Sequence, residues 1–225
     1  MHIEPGIVDG AKIVLSYATA AGATLFTMKH ARDELKRRGL SSLLIRSAFA
    51  TALVFSFFEI LPHYPVGVSE VHLILGSTLF LLFGAAPAAV GLAAGLVLQG
   101  MFFAPFDLPQ YGMNVTTLLA PLFALQLASS KIIAPNTPYV DLRYRQTLAL
   151  SATYQGGVVL WVAFWALYGH GFNVENLLSI GSFGLAYLMV ILVEPLIDIL
   201  VLAAVKSGRD VSRMGFFDAR LTSAN

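Results

Sequence analysis

Residues 71–104 read VHLILGSTLFLLFGAAPAAVGLAAGLVLQGMFFA, and how this stretch is divided decides the fold. As one helix it is a single membrane crossing. Broken at Pro87 it is two elements, the first of which, 71–86, covers only about 24 Å at 1.5 Å per residue. The basic residues decide between these readings. Lys29, Arg32, Lys36, Arg37, Arg38 and Arg46 surround the first connection. Lys131, Arg143 and Arg145 follow the fifth apolar run, and Lys206, Arg209, Arg213 and Arg220 follow the seventh. With the break, thirteen of the 14 basic residues fall on one side and Lys12 alone on the other. Without it, basic connections land on both sides. Basic loops are retained in the cytoplasm. The expected arrangement is therefore seven spans (11–29, 43–62, 71–86, 87–104, 114–131, 146–168 and 177–205), with the N-terminus outside and the C-terminus cytoplasmic. The 71–86 span must be short, tilted or half of a re-entrant pair.

Composition agrees with a lipid solvent. Of 225 residues, 57 % are hydrophobic and 12 % charged, against roughly 45–50 % and about 25 % in globular chains. Mean hydropathy is +0.74. The apolar runs are continuous rather than alternating, which favours helices over a barrel. The class expected is an all-α polytopic bundle in the bilayer, one transmembrane domain over 1–205 and a cytoplasmic tail over 206–225. A net charge of +1 leaves no electrostatic footprint for nucleic acid, and the lack of cysteine excludes disulfides and thiolate metal sites. Residues 1–10 carry Glu4 and Asp9 but no Lys or Arg, unlike a signal peptide. The chain is expected to keep its own first residue. Small residues within the spans (Ala48/Ala52, Gly91/Gly95, Gly181/Gly184) let helices approach closely.

The histidines sort by side. His30 belongs to the inner basic connection, whereas His2, His63, His72 and His170 fall at or near the outer face. A free Met1 amine, the His2 amide nitrogen and the His2 imidazole Nδ1 can chelate one metal through a five- and a six-membered ring, all three nitrogens near one plane. Such a set suits Ni(II), Cu(II) or low-spin Co(II), not zinc or the oxygen-seeking Mg and Ca. A fourth nitrogen completes the square. His72, at the outer start of the third span, is the first candidate and His63 the second. Position two alone carries little weight, since most such histidines bind nothing.

Other polar residues leave alternatives open. Asn114 either orients a metal-binding histidine or caps the fifth helix. Glu70 either balances charge at the site or faces water. Glu194 and Asp198, spaced i, i+4, share a face of the seventh span. Intramembrane acids are costly, and these serve a proton relay, a contact with a partner subunit or an internal pairing. Glu59 and the Asp141-Leu142-Arg143-Tyr144-Arg145 stretch read as interface anchors. Gly181-Ser182-Phe183-Gly184 is not the nucleophile elbow of a hydrolase.

The opening Met1-His2-Ile3-Glu4-Pro5-Gly6 resembles the start of the cobalt/nickel substrate-capture membrane proteins of energy-coupling factor transporters, the CbiM/NikM family. Glu70-Val71-His72-Leu73 with Gly76 is similar to that family's Ser-His-Leu-Thr-Gly segment, Pro87 to Gln99 to its Gly-rich fourth span, and Gly112-Met113-Asn114-Val115 to its Gly-Ala-Asn-Val segment. The order of these segments spans the chain to about residue 200. Proline and acid are exchanged at 4 and 5, Val71 and Ile74 replace a serine and a threonine, and Met113 replaces an alanine. The resemblance implies seven spans with the N-terminus outside and an N-terminal tail folded back into the bundle. It implies one Co(II) or Ni(II) held by the Met1 amine, the His2 amide and imidazole, and His72, with Asn114, Glu70 and His63 as possible surrounding groups. It further implies no enzymatic activity of its own, and partners in a membrane coupling subunit, a cytoplasmic ATPase pair and often a small auxiliary membrane subunit. The setting it implies is the prokaryotic inner membrane, and cobalamin biosynthesis as a destination for cobalt. The absence of a G-x-x-x-x-G-K-[ST] motif agrees that ATP is hydrolysed elsewhere. Two readings from other classes compete: a self-sufficient proton-coupled permease using Glu194 and Asp198, and a haem or quinone protein using the outer histidines.

Overall fold

The first long helix does not end at its basic cluster. In the computed structural model, which describes residues 3–207 and 216–223, α1 (Ile13–Glu59) continues through the expected connection apart from a break at one residue. Gly39 there has φ 81° and ψ 167°, a region glycine occupies without steric cost. The two arms run in opposite directions. Ser16 packs beneath Gly112, and His30 lies 3.4 Å from Gln126. On the return arm Arg46 meets Phe83, and Phe58 meets His72.

A β-hairpin comes next. β1 (His63–Val66) and β2 (Ser69–His72) pair antiparallel with His63 opposite His72. Gly67 takes φ 64° in the two-residue loop, as such loops require. A Cβ on Gly67 would collide with the Ser179 carbonyl, so the hairpin tip is seated on the last long helical stretch of the chain.

After the hairpin stands α2 (Gly76–Phe83), eight residues long and buried throughout. At about 12 Å it is too short to cross a bilayer. The expected span at 71–86 is thus a strand end plus a short interior helix. Hydropathy does not distinguish a segment enclosed by protein from one enclosed by lipid. The break before α3 (Ala85–Phe102) also falls elsewhere than expected. It lies at Gly84, φ 82°, and Pro87 sits inside the first turn of α3, where its missing N–H has no partner to lose. The remaining helices are α4 (Tyr111–Ile132), α5 (Tyr144–His170) and α6 (Val174–Ser207).

Among the described residues, five helical segments are long and apolar enough to cross a membrane: Gly10–Glu59, Ala85–Phe102, Pro105–Ile132, Tyr144–His170 and Val174–Ser207. Of the small-residue pairs, Gly91 and Gly95 bring α3 onto Ala50 and Val54 of α1. Ala48 and Ala52 point outward and are exposed, and Gly181 meets nothing.

Both ends of α2 need partners, because backbone groups inside the bundle have no water to turn to. At its start, Ser77 N donates to Glu194 Oε1 at 3.0 Å, Ser77 Oγ to Asp198 Oδ2 at 2.8 Å and Thr78 Oγ1 to Asp198 Oδ1 at 2.5 Å. Glu194 also accepts from Ser151 Oγ at 2.6 Å and Gln155 Nε2 at 2.9 Å. Both acids are thus satisfied by hydrogen bonds inside the bundle. Asp198 does not reach for the membrane surface. At the far end Arg46 donates to the Phe83 carbonyl at 2.7 Å, and Asp218 N donates to the Leu82 carbonyl at 2.7 Å. Arg46 is fully buried and paired with Glu34, and Asp218 Oδ2 lies 3.6 Å from its Nη1. Residues 216–223 of the expected tail are docked: Leu221 is buried, and Arg220 donates to the Ala134 carbonyl at 2.9 Å. Arg209 and Arg213 lie outside the described residues.

Removing one partner of a buried ion pair strands the other. Arg46→Met is expected to destabilise the bundle by about 3 kcal/mol or more, read as a lowered unfolding midpoint in detergent. An unchanged midpoint would mean that the α2 terminus is satisfied some other way.

Candidate metal site

The end of the bundle that carries the hairpin also receives the beginning of the chain. Ile3 forms an antiparallel bridge with Ser69, and Glu4 N donates to the Val68 carbonyl at 3.2 Å. Ile3 is fully buried. A Cβ on Gly169 would collide with the Ile7 carbonyl, so α5 offers the tail a seat that only glycine leaves open. Lys12 Nζ donates to the Gly169 carbonyl at 2.8 Å, and His170 Nε2 lies 3.3 Å from the Gly6 carbonyl.

Asn114 holds the tail from the bundle side. Helix α4 starts at Tyr111 with Gln110 as its N-cap, so Asn114 is one turn inside and does not cap it. Its Oδ1 accepts from Ile3 N at 3.0 Å, and the residue is buried. In this structure the side chain fixes the tail backbone rather than an imidazole.

His72 ends β2 and is fully buried. The His63 ring stacks over it with centroids 4.7 Å apart and planes within 6°. Phe58 meets it edge-on at 5.1 Å. Tyr187 Oη approaches the His72 carbonyl at 3.5 Å, and Ile74 N donates to that carbonyl at 3.0 Å. Glu70, on the same hairpin face, sets Oε2 3.7 Å from His72 Nε2, with its side chain 27 % exposed. It borders both the histidine and solvent. His63 itself is exposed. Met1 and His2 lie outside the described residues.

Acidic charge gathers around this end. Burial, then the nearby Glu70 charge, raises the Glu4 carboxyl above its ordinary range. The folded state therefore holds that proton more tightly than the unfolded chain. The corresponding stabilisation is present below the ordinary carboxyl value and fades as pH rises through the raised one. Asp107, in the turn before α4, is buried. A cavity of about 10 Å3, room for one water-sized occupant, lies between Asp107, Tyr111 and Asn114. Among the described residues, no three of His, Asp and Glu come together as a metal-binding group. His72 and Glu70 alone cannot complete a coordination shell, so any ion held here needs further donors.

Sequence reasoning singled out His72, His63, Glu70 and Asn114, and the structure brings all four to one end with the tail. It missed the hairpin that aligns them. The signal was present, Gly67-Val68 between short runs rich in Val and Tyr, but the 71–86 apolar run absorbed half of it.

Five long apolar helical segments among the described residues, their few interior charges buried and hydrogen-bonded, define a multi-pass membrane protein. The family model described as cobalt uptake substrate-specific transmembrane region, CbiM, matches residues 2–211. The chain belongs to that family and is a membrane component of metal transport, as the resemblance read from the sequence indicated. Two crystal structures share the fold. One, described as a truncated transition metal transporter, has TM-score 0.70 and 18 % identity, over 92 % of this chain and 99 % of that one. The other, described as a transition metal transporter, has TM-score 0.62 and 18 % identity, over 93 % and 94 %. No curated protein matches the chain significantly.

Asn114→Ala removes the one side-chain acceptor of the Ile3 amide. Faster hydrogen exchange at residues 3–8 is expected, with α4 protection unchanged. Protection retained at Ile3 would show that the hairpin alone holds the tail.

Proposed function

We propose that this chain is the substrate-capture component of an ATP-driven energy-coupling factor importer for Co(II) or Ni(II). The Met1 amine, the His2 amide and imidazole nitrogens, and the His72 imidazole form a near-planar four-nitrogen set. The observation that carries this reading is the antiparallel sense of the Ile3–Ser69 bridge. In an antiparallel pair, lower numbers on one strand run beside higher numbers on the other. The bridge seats the described start of the chain on β2, three residues before His72. Two residues span up to about 7 Å, and the fixed Ile3 backbone spends none of that reach on slack. Asn114 acts as the tail's anchor, and His63 and Glu70 border the site.

Burial supports His72 over His63 as the fourth ligand. Ring nitrogens coordinate in the ring plane, and the two planes are stacked, so one ion cannot lie in both. His72 is the buried member, and burial shields a captured ion from competing water. Its face of the protein is the outer one, with the N-terminus outside and the C-terminus cytoplasmic, in a prokaryotic inner membrane. Transport energy comes from a partner ATPase pair through a membrane coupling subunit, with a small auxiliary membrane subunit alongside. The exposed Ala48 and Ala52 of α1 offer the coupling subunit a face for close helix approach. The competing permease reading uses Glu194 and Asp198, which here hold the start of α2. Cobalt captured this way would supply cobalamin biosynthesis.

Calorimetry with Co(II), Ni(II) and Zn(II) on the purified chain with a native first residue tests the reading. One ion per chain is expected. His2→Ala, or one residue added before Met1, abolishes binding while the helical circular dichroism persists; binding that survives either change refutes the site. His72→Ala weakens binding strongly and His63→Ala does not, and the reverse would make His63 the ligand. The nitrogens must lose protons to bind, so affinity falls on acidification. Glu194→Gln is expected to spare binding in the isolated chain, and its loss would place that carboxylate in the pocket.

A further inference from the structure

We infer that the cavity beside the Gly39 joint of α1 is an anion site that takes a phosphate group, held by Arg37, Arg38 and Arg220. It lies at the opposite end of α2 from the hairpin and stands apart from the capture reading.

The cavity has a volume of about 540 Å3, within the roughly 300–1,000 Å3 of small-molecule sites. The first arm of α1 supplies His30, Glu34, Arg37 and Arg38 to its wall. The α2–α3 junction supplies residues 84–87, and the docked segment 216–223 supplies Asp218 and Arg220. A Cβ on Gly84 would stand 2.6 Å from Asp218 Oδ2, so the bare glycine lets that carboxylate in.

Charge here does not balance. Four guanidinium groups, those of Arg37, Arg38, Arg46 and Arg220, meet two carboxylates, Glu34 and Asp218. Arg46 holds both carboxylates more closely than Arg38 does. It pairs with Glu34, and its Nη1 is 3.6 Å from Asp218, whereas Arg38 stands 4.0 Å from Glu34 and 3.9 Å from Asp218. Arg37 meets Glu34 at 3.3 Å with its side chain 70 % exposed. Arg220 is matched by the Ala134 and Thr137 carbonyls and the Tyr139 ring, which carry no charge.

Two donors in the wall also lack acceptors. Arg38 Nη1 is buried without a hydrogen-bond partner among the described residues, since 3.9 Å exceeds hydrogen-bond length. His30 Nε2 is in the same position. Gln126 Nε2 lies 3.4 Å from His30 Nδ1. An amide nitrogen only donates, so Nδ1 accepts and Nε2 carries the proton. Buried donors without acceptors are costly, and an anion satisfies both. A carboxylate brings one negative charge and a phosphate up to two, which matches the surplus. Guanidinium forks fit phosphate oxygens in pairs. The same group arrives as free phosphate or on the headgroup of an anionic lipid, which basic pockets between membrane helices accept.

Calorimetric titration of inorganic phosphate into the purified full chain, against chloride at equal ionic strength, tests this. One phosphate per chain is expected to bind saturably. Arg38→Gln weakens it about tenfold or more, the scale of one hydrogen bond to a charged group. Arg37→Gln, at a mostly exposed side chain, keeps the fold and weakens binding severalfold. Arg145→Gln, a basic residue outside the cavity, leaves it unchanged. Native mass spectrometry of the chain taken from bilayers of phosphatidylglycerol and phosphatidylcholine reads the source. One phosphatidylglycerol retained per chain, displaced by phosphate and lost in Arg37→Gln, assigns a lipid headgroup. No retained lipid beside saturable phosphate binding assigns free phosphate. The absence of both overturns the inference, as does an Arg37→Gln affinity equal to that of the native chain. Equal weakening by Arg145→Gln also overturns it, since the binding would then be diffuse surface charge.

Discussion

Everything in this bundle is arranged around a helix too short to reach water. α2 is eight residues, wholly buried, and its terminal backbone groups lie where unsatisfied polar atoms are most costly. The helix dipole dictates what each end accepts: negative charge at the start, positive at the finish. Glu194 and Asp198 meet the first requirement and Arg46 the second. These three charged residues come from α6 and α1, so satisfying α2 ties the two flanking layers together. The same helix begins four residues after His72. The rigidity of the metal end is thus inherited from a capping problem solved deep in the protein.

The metal end itself is made of strands rather than helix, a choice with a physical reason. A helix would place neighbouring residues about a hundred degrees apart around its axis. A hairpin sets alternate residues on one face, which puts His63, Glu70 and His72 side by side. It also presents a strand edge on which an arriving tail can pair, and Ile3 does so at Ser69. Asn114 and the bare backbone of Gly169 then fit that tail from the bundle side.

Much of this was legible in the sequence, though not all for the right element. Charge placement correctly separated 71–86 from the next span, since the junction exists, but at Gly84 rather than Pro87. Proline marks a helix start as readily as a break, and only the φ of 82° at Gly84 tells which residue turns the chain. The Gly39 joint was hidden because a basic, charged stretch reads as a loop, whereas lysine and arginine are good helix formers. His72 and Asn114 were singled out by resemblance and chemistry, and the structure places both at the end that receives the tail. Their linkage through the Ile3 amide was not legible, because a backbone donor has no letter of its own. Glu70 stayed open between charge balance and water, because only a strand, with its two-residue alternation, puts it on the face of His72.

The position of α2 also bears on how such a chain is made. The amide of Ser77, in its first turn, waits for a carboxylate 117 residues further on. At ribosomal speeds of about 5–20 residues per second, that interval lasts roughly 6–24 s. During it, the start of α2 lacks its carboxylate partners. Completion of α6 is then the event that lets the metal end set, and the contact of Arg46 with Phe83 is joined by Asp218 only when nearly the whole chain has been synthesised.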